Sequence, residues 1–314
     1  MTEFHRLYET TCFIYFNWDS MINNSQRATL SGLLAIVLWS TSVGLIRSIT
    51  ENFGTLGGAA MLYSATALLL CFTRGFPRLH TAPKGWLLSA SLLFVSYEIA
   101  LTTSLGLAAN RQQVLELGIV NYLWPSLTIV LAILLNNQRC RFWLWPGLIL
   151  SLVGIIRVLG GDDAVSLTAL KINIQQQPLA YALAGYAAFS WALYNNLTRR
   201  FAAGYNGVTL FFLVTSLTLW AGTIFSPHPL KLSGQPAAWF ELLIMACFFA
   251  VAYFSWDRGI QRGNLSLLAA ASYFTPVLSS LLAALWLGIT PAAAFWQGVA
   301  MVTLGSLICW RATR

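Results

Sequence analysis

Residues 108–130 read AANRQQVLELGIVNYLWPSLTIV. A polar cluster, Asn110-Arg111-Gln112-Gln113, leads into a segment long enough to cross a bilayer at 1.5 Å per helical residue. Asn121, Tyr122, Trp124 and Pro125 sit in the middle of it. A helix facing only lipid has no use for an amide, a phenol, an indole and a helix-breaking imino acid at its centre, because hydrocarbon offers none of them a partner. These residues require water, a substrate or a neighbouring helix. The segment is therefore read as lining a transport pathway.

The composition agrees. The chain has 314 residues, 57% of them hydrophobic and 9% charged, where a soluble domain carries about 25% charged residues. The apolar residues fall in long runs, many near the roughly 20 needed to span hydrocarbon. This is the pattern of an all-α polytopic membrane protein. The net charge of +8 forms no stripe or cluster, so nucleic acid is not expected as a partner. The basic residues occupy short loops between apolar runs, as membrane topology requires. The partners expected are the lipid bilayer and a small-molecule substrate, with a monomer as the unit. Cys12, Cys71, Cys140, Cys247 and Cys309 are scattered and odd in number, which speaks against a disulfide framework or a metal site.

Residues 1–28 form a leader whose apolar piece, Cys12 to Trp18, is too short for a signal peptide or a span. Met21 stands shortly before the first long apolar run, and it or a nearby codon is the expected start of the native chain. Ten spans are expected at 29–49, 57–73, 84–106, 111–134, 142–160, 178–202, 207–226, 236–262, 264–287 and 292–311. Residues 161–177 divide them into a first set of five (29–160) and a second (178–311), followed by a tail at 312–314. With the N-terminus inside, 13 of the 18 basic residues fall on the inner side and 5 on the outer. The positive-inside rule then places both termini in the cytoplasm and the 161–177 linker outside.

The two sets repeat each other. Trp39 and Arg47 are spaced like Trp191 and Arg199, 152 residues on. Tyr122-Leu-Trp-Pro125 matches Tyr273-Phe-Thr-Pro276 at an offset of 151, and Gly147 and Gly154 match Gly298 and Gly305 at the same offset. Five spans per half make the second half enter from the opposite side. The sequence thus points to ten transmembrane helices in two inverted five-helix repeats, an architecture that many secondary transporters use for alternating access.

Most of the thirteen tryptophans, Trp86 among them, lie near span ends as interfacial residues do. Trp39, Trp124 and Trp191 lie near span centres, joined by Tyr122 and Tyr273. Polar neighbours share their faces: Ser42 with Trp39, Tyr194 and Asn195 with Trp191, and Asn121, Pro125 and Thr128 with Trp124. These rings could pack helices together, or they could line a pocket for a ring-bearing amphiphile, stacking its ring and bonding its polar end. Pro125 and Pro276 each remove a backbone hydrogen bond in mid-span. Their role is either in packing or in a gate.

Acidic residues inside a membrane are read as functional by default. Glu98 lies about 12 Å from the outer end of its span and Glu116 about 7–8 Å from the outer end of the next. Glu98 could bind a substrate ammonium or a coupling proton with Glu116 in support, or either could serve a structural bond, Glu116 with Arg111. Helical angle takes Glu116 off the Asn121/Trp124 face. Asp257 and Arg258 read as a solvated pair at a span end. No Walker loop or HExxH helix occurs, and His5, His80 and His228 lie outside the spans. Neither an enzyme nor a cofactor or metal is expected.

Tyr97-Glu98-Ile99, Asn110-Arg111-Gln112-Gln113, Glu116, Gly118 and Asn121-Tyr122-Leu123-Trp124-Pro125 together resemble the drug/metabolite transporter superfamily of the EamA type, and within it the aromatic amino acid exporters of enteric bacteria. The resemblance runs from about residue 27 to the end, and the segment from Tyr97 to Pro125 is specific to that exporter group. It implies inner-membrane efflux of phenylalanine, tyrosine and tryptophan, and extends to other metabolites or drugs such as paraquat. It also implies a central cavity built from the helices that hold Trp39, Tyr97, Tyr122, Trp124, Trp191 and Tyr273.

Overall fold

A computed structural model describes residues 23–77, 79–109, 111–160, 167–225, 231–287, 290 and 292–313. The leader and the supposed start at Met21 lie outside the described residues. Within them the chain is helical, with no strand. In order the helices are α1 (Asn24–Ser40), α2 (Ser42–Phe53), α3 (Thr55–Arg74), α4 (Lys84–Gly106), α5 (Arg111–Asn121), α6 (Trp124–Asn136), α7 (Leu144–Gly160), α8 (Leu167–Gln176), α9 (Pro178–Phe201), α10 (Val208–Ile224), α11 (Pro236–Arg262), α12 (Leu265–Ala271), α13 (Phe274–Leu287) and α14 (Ala293–Ala312). Five segments are long and apolar enough to cross a membrane: Thr55–Arg74, Lys84–Gly106, Glu116–Asn136, Pro236–Arg262 and Ala293–Ala312. Shorter apolar helices accompany them at Leu144–Val158, Val208–Ile224 and Leu265–Ser279.

Local chemistry sets the ends. Asn23 and Gln26 close a reciprocal capping box at the start of α1, with bonds of 2.9 and 2.8 Å. Asn264 accepts from the Leu267 amide at the start of α12 (3.0 Å). Pro178 and Pro236 open α9 and α11, where a missing N–H costs nothing.

Three apolar runs expected as continuous spans are broken. Pro125 cannot pair with the carbonyl four residues back, and the chain turns at Tyr122–Leu123 between α5 and α6. Pro276 does the same at Ser272–Tyr273, between α12 and α13. The third break, at Thr41, has no proline. There the Ser40, Thr41 and Ser42 hydroxyls donate to the carbonyls of Val37, Leu38 and Trp39 at 2.6, 2.8 and 2.6 Å. Three successive side chains thus compete for the backbone acceptors of one turn. The segment read as a linker also carries structure of its own, the ten-residue α8.

α1 packs along α11, α4 along α9, α3 along α10 and α7 along α14, while α6 touches both α9 and α12. Side-chain volume decides how closely these pairs approach. On the α7–α14 seam, a Cβ added to Gly154 would lie 2.9 Å from the Gly298 carbonyl oxygen, and one on Gly305 would lie 2.6 Å from that of Gly147. Lipid gives helices no hydrophobic reason to associate, so close backbone packing of small residues takes its place.

Gly154→Ala should therefore cost about 1–3 kcal/mol, as over-packing against backbone does. Gly185→Ala serves as the control, since a Cβ there meets nothing within 4 Å. Thermal unfolding in detergent checks this: the midpoint should fall for Gly154→Ala and hold or rise slightly for Gly185→Ala.

Candidate functional site

The breaks in α1/α2 and α5/α6 place side chains into a cavity of about 670 Å³. Trp39 and Ser42 enter from the first break, Asn121, Tyr122 and Trp124 from the second. α3 supplies Tyr63, α4 supplies Tyr97, Glu98 and Thr102, α9 supplies Trp191, and α11 supplies Phe249 and Tyr253. The lining continues to Ile49, Thr55, Gly106 and Val114, at the end of the bundle where α2 meets α3 and α4 meets α5. Ile46 and Val114, 37% and 40% exposed, mark that end as open.

The opposite end is shut. A Cβ on Gly259 would stand 2.9 Å from the Gly32 Cα, so α1 and α11 are in backbone contact there. Arg199 donates to the carbonyls of Ile260 (2.9 Å) and Gly263 (2.7 Å). The Asn264 amide donates to the Thr29 hydroxyl (3.0 Å), and Asn136 donates to Asn196 (2.7 Å). Arg200 adds a bond to the Leu135 carbonyl.

The floor of the cavity is a layer of rings centred on Trp191. Its indole lies 4.8 Å from Tyr97, 6.2 Å from Trp39 and 6.4 Å from Trp124, the last two edge to face. Trp256, 1% exposed, closes the layer from beneath at 5.1 Å from Trp39 and 5.7 Å from Trp124. Edge-to-face pairs of this kind add about 0.5–1.5 kcal/mol each beyond their area.

Polar groups sit at set points around the rings. The Tyr253 hydroxyl donates to the Glu98 carboxylate at 3.0 Å, and Tyr63 lines the same cavity. Both tyrosines are neutral. The Trp39 Nε1 and the Asn121 Oδ1 are buried and without a hydrogen-bond partner. A buried polar atom left unpaired costs about 1–3 kcal/mol, and here one unpaired donor and one unpaired acceptor belong to residues that line the same cavity.

Of the residues singled out from the sequence, Trp39, Ser42, Tyr97, Glu98, Asn121, Tyr122, Trp124 and Trp191 converge on this cavity. Tyr194 and Asn195 do not line it. Tyr194 stacks on Trp191 from behind (5.0 Å, 19°), and Asn195 accepts from the Trp256 indole at 3.0 Å. Tyr273 is fully buried and shares a hydrogen bond with Ser126 instead of facing the cavity. Glu116 is not beside Glu98: it takes the Tyr181 hydroxyl from α9 and the Asn173 amide from α8 (3.1 Å). Arg111 begins α5, and its side chain lies outside the described residues. Pro125 and Pro276 are both buried at their breaks.

Two readings are corrected by burial. Asp257 is 1% exposed, not solvated, and only Arg258 beside it faces outward. Trp86, expected at the interface, is buried with its indole donating to Thr198 (3.2 Å). Sequence reasoning missed Tyr63, Phe249 and Tyr253. The signal available was the four-residue spacing of Phe249, Tyr253, Asp257 and Gln261, which puts an aromatic-to-polar stripe on one face of α11.

Breaks in mid-span, an aromatic layer and a buried carboxylate facing an open cavity define a multi-pass membrane protein of the transporter class. The EamA-like transporter family model matches residues 178–311. The aromatic amino acid exporter YddG of Escherichia coli (strain K12) is 51% identical over 289 residues, covering 92% of this chain and 98% of that one. The aromatic amino acid exporter YddG of Salmonella typhimurium (strain 14028s) is 49% identical over 290 residues, covering 92% and 99%. A protein of known crystal structure, 25% identical, superposes with a TM-score of 0.76 over 91% of this chain and 97% of its own. The chain belongs to the EamA-like transporter family.

Glu98→Gln keeps an acceptor for the Tyr253 phenol and should leave the thermal midpoint in detergent near that of the native chain. Glu98→Leu strands that hydroxyl and should lower stability by about 1–3 kcal/mol. Equal midpoints for the two variants would mean that the phenol finds another partner.

Proposed function

We propose that the protein is a secondary transporter that exports phenylalanine, tyrosine and tryptophan across the bacterial inner membrane by alternating access. The observation that carries this reading is the set of open polar positions around the aromatic layer. The substrate ring lies against Trp191, Trp39 and Tyr97, its ammonium reaches Glu98 and the Asn121 oxygen, and its carboxylate takes the Trp39 N–H. A cavity of about 670 Å³ is in the range of small-molecule sites, roughly 300–1,000 Å³. The activity named for the enteric relatives supports the same substrate class.

Alternating access needs two halves that can exchange roles. Under the repeat, α1 corresponds to α9, α3 to α10, α4 to α11, α5/α6 to α12/α13, and α7 to α14. Exchanging them turns the α1–α11 pair into the α9–α4 pair and leaves α3–α10 and α7–α14 unchanged, which is the packing found. The contacts are reciprocal as a two-fold axis demands: Gly147 meets Gly305, and their counterparts Gly298 and Gly154 meet each other. Ser64 and Ser216, 152 residues apart, share a hydrogen bond at 2.7 Å across the same axis. The glycine pairs also make α7 and α14 antiparallel, which supports inverted halves.

With both termini cytoplasmic, as the 13-to-5 division of basic residues favours, the open end faces outward and the shut end faces the cytoplasm. One open end also explains why Tyr122 lines the cavity while its counterpart Tyr273 is packed away: related residues of the two halves have different surroundings in any single state.

An organic cation on the same scaffold is the second reading, favoured by one carboxylate beside an aromatic wall, where cation–π contacts add to charge. A single carboxylate suits the single ammonium of an amino acid better than a dication such as paraquat.

The test is efflux of labelled phenylalanine from loaded cells, with and without a protonophore. Cells overexpressing the chain should release label several-fold faster than vector controls. Both Glu98→Gln and Trp191→Ala should return the rate to near the control. Unchanged efflux with the protein present in the membrane, beside protection against toxic cations, would favour the second reading.

A further inference from the structure

Below the aromatic layer, on the shut side, lies a second carboxylate for which the open cavity has no use. Asp257 is 1% exposed near the inner end of α11. Its carboxylate accepts from the Tyr194 hydroxyl (3.2 Å) and the Gln261 amide (2.7 Å). Both donors are neutral, and the neighbouring Arg258 faces outward. Arg199, five residues after Tyr194, is exposed, and its guanidinium is directed at the Ile260 and Gly263 carbonyls. An ionised carboxylate held in a membrane-embedded bundle by neutral partners carries a desolvation cost of several kcal/mol, and no cation among the described side chains is placed to offset it.

Glu98 is in the same situation on the other side of the layer, with Tyr253 as its neutral donor. The two sites share α11. Tyr253, which donates to Glu98, stands four residues before Asp257, one turn or about 6 Å along the same face. Between them runs Trp256, which touches Trp39 and Trp124 above and donates to Asn195 below (3.0 Å). Asn195 continues to the Thr128 hydroxyl at 3.4 Å. The layer therefore has a carboxylate, a tyrosine and an amide beneath it, as it has Glu98, two tyrosines and Asn121 above it.

We infer that Asp257, Tyr194 and Asn195 form a second ammonium-binding half-site, reached from the cytoplasm when the shut end opens. The inference rests on the export reading and adds to it the site where an aromatic amino acid is first taken up. The contacts that bury this half-site are those a swing of α1 away from α11 would release: the Gly32–Gly259 approach and the Thr29–Asn264 bond. Substrate then moves from Asp257 to Glu98 as the rings part, always with one carboxylate opposite its ammonium. Among the described residues neither carboxylate has a cation beside it, and the ammonium of the cargo supplies one.

Initial rates of labelled phenylalanine uptake in inside-out and right-side-out membrane vesicles test this, because each presents one face of the protein. Asp257→Asn should raise the KM at the cytoplasmic face tenfold or more while leaving the outer-face KM within twofold. Glu98→Gln should raise the outer-face KM. The retained outer-face KM also shows that Asp257→Asn is folded. Should that variant fail to reach the membrane, Tyr194→Phe removes one hydroxyl and should still raise only the cytoplasmic-face KM, by about threefold. Equal shifts at both faces, or an unchanged cytoplasmic-face KM, would overturn the inference alone. A native protein that moves no phenylalanine in either vesicle would overturn the export reading and this half-site with it.

Discussion

Trp191 packs against Trp39, Tyr97, Trp124 and Tyr253 from four other helices and against Tyr194 of its own, and the cavity, its closure and its chemistry all depend on that contact. A ring layer of this kind is rigid enough to stop a polar solute and still parts along edge-to-face contacts that are individually weak. It also offers a ring-bearing substrate the same surface that its own members offer one another. Under the proposed export reading, barrier and recognition surface are the same side chains, which suits a pathway that must be blocked whenever it is not occupied.

Hydrocarbon supplies the second constraint. No water is present to satisfy polar groups at mid-membrane depth, so every break in a spanning helix must be paired or must face a cavity. At Ser40–Thr41–Ser42 the side chains themselves take up the carbonyls. At Tyr122–Leu123 the break faces the cavity, with Asn121 beside it. At Ser272–Tyr273 the Ser272 hydroxyl returns to Leu268 and the Tyr273 hydroxyl to Ser126. The breaks are where irregular backbone is tolerated, and two of the three open onto the cavity.

Much of this is readable from residue order. Trp39, Glu98, Asn121, Trp124 and Trp191 stand out because aromatic and polar groups inside spans have no use in lipid, Tyr97 enters only through the family resemblance, and Pro125 and Pro276 mark their own breaks. The break at Thr41 is not readable, since it arises from three hydroxyls whose rotamers are set by packing and not by a proline. Tyr63, Phe249 and Tyr253 are obscured because an aromatic in an apolar span is ordinary until its helix is known to face α4. Asp257 misleads for a related reason. Its neighbour Arg258 and its closeness to a span end suggest water, whereas the angle about α11 turns it onto Tyr194. Glu116 was separable from the Trp124 face by helical angle, but its partners on α8 and α9 are long-range contacts that spacing along one helix does not reveal.

The most direct measurement is efflux of labelled phenylalanine from proteoliposomes holding only the purified protein, with unlabelled tyrosine, tryptophan, leucine and paraquat added in turn as competitors. Release well above protein-free liposomes, inhibited strongly by the aromatic amino acids and weakly by leucine and paraquat, is the result expected if the ring layer and Glu98 recognise an aromatic zwitterion. Release that the aromatic amino acids do not inhibit, or no release above protein-free liposomes, would contradict it.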